Sequence, residues 1–250
     1  VAFSYTELAI IGLSFVAGGF VKGVSGMGLP LLVVPILLQF YPLRQAIAMM
    51  IVPVVVTNVT QMLNWSEVKA VSKRFKTLLI CLPIGISIGS LALFFLDPHQ
   101  LDLAAGLLIL GFALFGLIRV EPRTLKPNEK LWNPIVGMII GILGGFSSLY
   151  GPPTAFYLLA LRVDREFFII ASALIFFVAG MMLNVIIIAN GLVTWDDIAL
   201  STFGLLPVAL GLLLGRFARR LVSQATFNKI ILWFLLLVGV NQLMRGAGVW

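Results

Sequence analysis

Only one cysteine, Cys81, and one histidine, His99, occur among the 250 residues, and just 11% of the residues are charged. A lone thiol excludes an intrachain disulfide and a cysteine metal cage. Set in an apolar run, Cys81 reads as a small buried filler. The histidine sits in the acidic stretch Asp97-Pro98-His99-Gln100-Leu101-Asp102, away from any serine that would need a base to become a nucleophile. The ten acidic residues lie at the ends of apolar segments or between them, none in mid-segment. That distribution argues against a cation or metal path, which would use intramembrane carboxylates, imidazoles or thiolates. No metal, no other cofactor and no nucleic-acid partner is expected.

Apolar residues are what the chain has in excess: 60% are hydrophobic and the mean hydropathy is +1.10. This composition is that of an integral membrane protein. At roughly 20 residues per span the chain has room for about six to ten crossings and little else. Apolar segments run over residues 8–22, 28–40, 45–63, 77–96 and 101–118, then over 134–149, 152–161, 168–190, 199–215 and 228–244. Glu7, rather than a basic region, precedes the first, so no cleavable signal peptide is expected there.

The net charge of +7 is distributed as a topology signal. Four connections hold 14 of the 17 basic residues: Lys69, Lys73, Arg74 and Lys76; Arg119, Arg123, Lys126 and Lys130; Arg162 and Arg165; Arg216, Arg219, Arg220 and Lys229. The connections around Asp97 and around Trp195-Asp196-Asp197 hold none. The positive-inside rule places the four basic connections in the cytoplasm and the two acidic ones outside, which puts both termini outside. Basic stretches at the inner surface would also attract anionic lipid headgroups.

The chain repeats itself. Gly18-Gly19-Phe20 recurs as Gly144-Gly145-Phe146, Asn58 as Asn184 and Arg119 as Arg245, each 126 residues on. The connection after the third segment is basic in the first half and acidic in the second, so the halves read as inverted repeats, the ground plan of a secondary transporter. Segments 28–40 and 152–161 are too short to cross roughly 30 Å at about 1.5 Å per residue. The expected fold is therefore an all-α integral membrane protein with two inverted repeats, each a broken or re-entrant helix pair plus three transmembrane helices. The first repeat covers 1–120, a cytoplasmic linker 121–132 and the second repeat 133–250.

The helix breakers cluster in two places, Lys22-Gly23-Val24-Ser25-Gly26-Met27-Gly28-Leu29-Pro30 and Ser147-Ser148-Leu149-Tyr150-Gly151-Pro152-Pro153-Thr154. Unpaired backbone in hydrocarbon costs several kcal/mol per group, so such runs persist only where protein or a wet cavity surrounds them. A short helix starting near Gly28 or Pro152 aims N–H groups and a positive dipole end at the break, which suits an anion. Two such ends meeting near the midplane would hold one ligand. Ser25, Ser147, Ser148, Tyr150 and Thr154 supply hydroxyls, and Gly23, Gly26, Gly28, Gly151 and Pro152 shape the backbone. Lys22, the one charge deep inside a segment, reads either as a ligand residue or as a side chain snorkelling to a headgroup. Asn58 and Asn184 read either as ligand donors or as ties between helices. The scattered Gly85, Gly89, Gly137 and Gly141 read as sites of close helix packing.

The run Gly-Gly-Phe-Val-Lys-Gly-Val-Ser-Gly-Met-Gly at 18–28, with Gly-Gly-Phe and Tyr-Gly-Pro-Pro at 144–153, resembles the sulfite exporter TauE/SafE family over essentially the whole chain. Gly23, Ser25, Gly26, Gly28 and Pro30 match the first motif, and Gly144, Gly145, Gly151, Pro152 and Pro153 the second. The resemblance implies a multi-pass protein of the bacterial inner (plasma) membrane that moves small sulfur-containing or organic anions, sulfite or sulfonates among them, and that is not an enzyme. An anion channel is the nearest alternative. An intramembrane serine hydrolase, suggested by Gly23-Val24-Ser25-Gly26, lacks a base. No coupling ion is identified, and an oligomer is left open.

Overall fold

The computed structural model describes residues 4–118, 128–219 and 224–248. Arg119, Arg123, Lys126, Arg220 and most of the expected linker 121–132 lie outside the described residues. Among the described residues every regular element is a helix: α1 Tyr5–Ser25, α2 Leu29–Leu37, α3 Leu43–Ala48, α4 Ile51–Val59, α5 Trp65–Arg74, α6 Lys76–Ser90, α7 Ala92–Phe95, α8 Pro98–Leu117, α9 Glu129–Ser147, α10 Gly151–Ala160, α11 Arg165–Ala189, α12 Trp195–Phe203, α13 Leu205–Ala218 and α14 Gln224–Gly246. Among the described residues, seven stretches are long and apolar enough to cross a membrane: α1, α6 with α7, α8, α9, α11, α12 with α13, and α14.

Polar residues at the segment ends set where these helices begin. Ser4 and Glu7, Asp97 and Gln100, and Thr194 and Asp197 form reciprocal capping boxes at the starts of α1, α8 and α12. Each satisfies two backbone donors that the helix leaves orphaned. With Asn128 accepting from the Lys130 N–H at the start of α9, α1 and α9 extend past their apolar stretches to 21 and 19 residues. The first member of each broken pair is thus long enough to span, unlike the second, where α2 has 9 residues and α10 has 10. The third segment also differs between halves. α11 is a continuous 25-residue helix, whereas its counterpart is interrupted at Met49-Met50 between α3 and α4.

The helices gather into two compact units, one of Val1–Pro53, Phe95–Val120 and Val193–Trp250, the other of Val54–Phe94 and Glu121–Leu192. Each unit draws helices from both halves of the sequence. In the first, α1 lies along α13, α2 folds back on α1, and α8 pairs with α14; in the second, α9 lies along α6 and α10 folds back on α9, with α11 packed on α6 and α5.

Glycines set the closeness of these pairs. A Cβ on Gly23 would lie 2.5 Å from the Leu212 carbonyl oxygen and 2.9 Å from Gly215 Cα; one on Gly145 would lie 2.5 Å from the Ile86 carbonyl oxygen and 2.9 Å from the Ser90 nitrogen. Gly85, Gly89, Gly137 and Gly141 likewise face backbone of the α6–α9 partner. They are the small residues that let membrane helices touch, as expected from the sequence.

The same contacts recur between units. Gly19 and Gly23 face Val208 and Leu212 in one unit, as Gly141 and Gly145 face Leu82 and Ile86 in the other. α1 thus takes the place of α9, and α13 that of α6. Partner indices rise together, so both pairs are parallel. α8 and α14 run antiparallel and reciprocally: Gly106 faces Leu243 and Gly239 faces Leu110. Away from these seams the surface is apolar, with Ile80, Ile84, Ile88 and Leu91 exposed in one stripe of α6–α7 and Ile230, Trp233 and Leu237 exposed on α14. Such stripes suit lipid contact.

Candidate hairpin-tip binding site

Both expected breaks are tips of helical hairpins, α1–α2 and α9–α10. In the first, α1 closes at Gly26, left-handed at φ 86°, whose N–H donates to the Lys22 carbonyl at 2.8 Å. Gly28, at φ 98°, is the N-cap of α2, and Pro30 occupies its first turn. Both glycines hold a backbone conformation that a side chain would strain. In the second, α9 closes at Ser148, left-handed at φ 61°, whose N–H donates to the Gly144 carbonyl at 2.8 Å. Tyr150 is the N-cap of α10, which opens Gly151-Pro152-Pro153.

The serines before the two caps do the same task. The Ser25 hydroxyl lies 2.8 Å from the Val21 carbonyl oxygen and 2.6 Å from that of Met27, and accepts from the Met27 N–H at 3.3 Å. The Ser147 hydroxyl donates to the Leu143 carbonyl at 2.6 Å and accepts from the Leu149 N–H at 3.1 Å. Both hydroxyls thereby satisfy backbone at a helix end. Ser25 and Ser147 are 122 residues apart, as are the two left-handed caps, Gly26 and Ser148. At this offset Lys22 corresponds to Gly144, not to Ser148 as the 126-residue repeat suggested, and Gly28 corresponds to Tyr150. Each hairpin carries one large polar side chain and one glycine at these two positions, in exchanged order.

Lys22 is buried, at 2% exposure. Tyr150 is 1% exposed, with its ring over Gly144 and 5.9 Å, centroid to centroid, from Phe176 of α11. Its hydroxyl has the Ser148 side chain beside it yet makes no hydrogen bond. Thr154 donates its hydroxyl to the Tyr150 carbonyl at 2.7 Å. Gly151 is buried, yet a Cβ there would meet nothing within 4 Å, so enclosed space adjoins the start of α10. With prolines at the next two positions, Gly151 keeps the one N–H among the first three residues of α10.

Depth can be read from the paired helices. Gly23 abuts Gly215 and Arg216 in the last turns of α13, and Gly145 abuts Gly89 and Ser90 at the end of α6. Each tip lies beyond the middle of its partner helix. Asn58 and Asn184 each lie one turn past the point where Gly180 of α11 meets Val54 of α4. Asn58 is buried and donates to the Val54 carbonyl at 2.7 Å. A serine that sequence reasoning passed over, Ser172 of α11, is 1% exposed with its hydroxyl unpartnered. It stands in an apolar run with no breaker beside it, so nothing local marks it. Among the described residues no cluster of three or more histidine, cysteine or carboxylate side chains could hold a metal.

The profile of the family described as "Sulfite exporter TauE/SafE" matches residues 10–242. No curated protein and no solved structure matches the chain.

Proposed function

This chain belongs to the sulfite exporter TauE/SafE family, and from that premise we propose that it is a secondary transporter exporting sulfite or a small sulfonate or carboxylate, with the two hairpin tips as its binding elements. The family is one of membrane transporters of sulfite-type anions. The proposal adds direction and site.

The observation that carries the site is the burial of Lys22 one turn before the left-handed tip of the first hairpin. A buried cation is expensive in hydrocarbon and is kept where it serves a ligand or its path. Around it, Gly23, Ser25, Gly26 and Gly28 fix the tip backbone and the start of α2. In the second hairpin Ser147, Ser148, Tyr150, Gly151, Pro152 and Thr154 do the same for α10. Asn58 and Asn184 are the amides of the reading. Helix starts, one lysine and neutral hydroxyls compensate an anion without a metal.

The repeats are read as inverted. Support comes from α8 and α14, which are equivalent in order, face each other through reciprocal positions and run antiparallel. Equivalent helices that run oppositely across a bilayer imply halves of opposite topology, the arrangement used for alternating access. The protein is placed in a bacterial plasma membrane with both termini external.

The test is uptake of labelled sulfite, with a panel of sulfonates and carboxylates, into proteoliposomes holding wild type or Lys22→Ala. Saturable uptake, with KM raised about 10-fold or more by Lys22→Ala, is expected for a charge-assisted contact. Uptake that stays linear in concentration would identify a channel, and unchanged kinetics in the variant would remove Lys22 from the site.

A further inference from the structure

We infer that Ser172 joins Tyr150 as a neutral hydrogen-bond donor to the transported anion, with both hydroxyls aimed at a guest beside the start of α10. This rests on the anion-transport reading above.

The serines of the chain show the departure. Ser14, Ser25, Ser72, Ser87 and Ser147 each place the hydroxyl 2.6–3.0 Å from the carbonyl four residues back. That is the usual way a serine satisfies itself inside a helix. Ser172, two turns into α11 and fully buried, does not. Tyr150 is the second buried hydroxyl of this unit left unpartnered. A buried hydroxyl without a partner costs about as much as a lost hydrogen bond, so such a group points to a guest that completes it.

The two groups share a neighbourhood. Ser172 precedes Phe176 by one turn on the same face of α11, and Phe176 is the ring against Tyr150. Farther along, Phe75 contacts both Tyr157 of α10 and Phe167 of α11, at 6.3 and 6.1 Å between centroids. α10 and α11 therefore run antiparallel there, and Ser172 falls between the two aromatic contacts. The enclosed space at Gly151 opens at the same end of α10. Two hydroxyls and one amide make a neutral donor set, which stabilises oxygens of a delocalised oxyanion without trapping them as a second cation would.

The experiment uses the full chain, reconstituted, with sulfite as probe and Tyr150→Phe, Ser172→Ala and Ser172→Thr as variants. Wild type is measured first, for saturable uptake and for a sulfite-induced rise in melting temperature. Expected are a KM about 10- to 100-fold higher in Tyr150→Phe and Ser172→Ala, loss of the sulfite-induced shift, and partial recovery in Ser172→Thr. The ligand-free melting temperature stays unchanged or rises, since an orphan hydroxyl has been removed. An unchanged KM, or a lower ligand-free melting temperature at wild-type KM, would show that the hydroxyls serve only packing or a bridging water, and would overturn the inference while leaving the transport reading intact. If wild type itself gives neither saturable uptake nor a shift, the transport reading fails first.

Discussion

Ser25, Ser147 and Thr154 have their hydroxyls turned back on the chain, so the chemistry left at the tips belongs to Lys22, Ser148, Tyr150 and the backbone around Gly151. Two glycines separate structural from ligand-related roles. At Gly23 a methyl would collide with the Leu212 carbonyl of α13, and overpacking of this kind costs about 1–3 kcal/mol. At Gly151 a methyl meets nothing, and alanine is the better helix former by up to about 1 kcal/mol. Gly23→Ala is therefore expected to lower the melting temperature of the purified protein. Gly151→Ala should leave it unchanged or raised, yet raise the KM for sulfite, because its methyl enters the space assigned to the anion. Thermal unfolding and uptake measured on the two variants check both. Gly151→Ala with wild-type uptake would move the ligand away from α10.

The second hairpin is held at its return end by a chain of polar contacts. Tyr157 of α10 donates to the Asn133 side-chain carbonyl at 2.7 Å, Asn133 donates to the Arg74 backbone carbonyl at 3.1 Å, and Arg74 pairs with Glu129 at 2.8 Å through two nitrogens. These links are unequal. The Arg74–Glu129 side chains are about a third exposed, at 36% and 33%, where an ion pair contributes about 0.2–1 kcal/mol. Asn133→Ala instead strands the buried Tyr157 hydroxyl, at about 1–3 kcal/mol. Melting curves are expected to fall more for Asn133→Ala than for Glu129→Gln, with the latter's effect vanishing at high salt; the reverse order would place the anchor in the ion pair. Such elements were partly legible from residues alone. Gly26, Gly28, Pro30 and Pro152-Pro153 announced both breaks because glycine takes the left-handed conformation without strain and proline suits the first turn of a helix. The register between halves was not legible. Small residues recur every four positions along α1 and α9, so matching Gly18-Gly19-Phe20 to Gly144-Gly145-Phe146 by identity lands one turn away from the match of the hairpin caps, at 126 rather than 122. Nor could periodicity reveal that each compact unit borrows helices from the other half. Pairing is settled by which glycine faces which backbone, and that is a contact between distant segments.

For the whole molecule, charge and packing give independent accounts of direction. Charge places Lys76 and Lys130, at the starts of α6 and α9, on the cytoplasmic side, so these helices should run the same way, and they are parallel. Charge would start α1 outside and end α13 at the cytoplasmic Arg216, and this pair is parallel too. Charge would likewise start α8 outside, at Asp97, and α14 inside, after Arg216–Arg219, and these two run antiparallel. The remaining question is which face each end meets, and single cysteines answer it on a Cys81→Ser background. Pro98→Cys and Trp195→Cys are expected to react with an impermeant maleimide from outside intact cells. Lys73→Cys and Arg219→Cys are expected to react only after the membrane is opened. Positions 98 and 195 belong to opposite halves and precede different helices of the repeat, so their exposure on one face requires the halves to be inverted. Labelling of all four from the same side would end that topology and, with it, the case for alternating access between related halves.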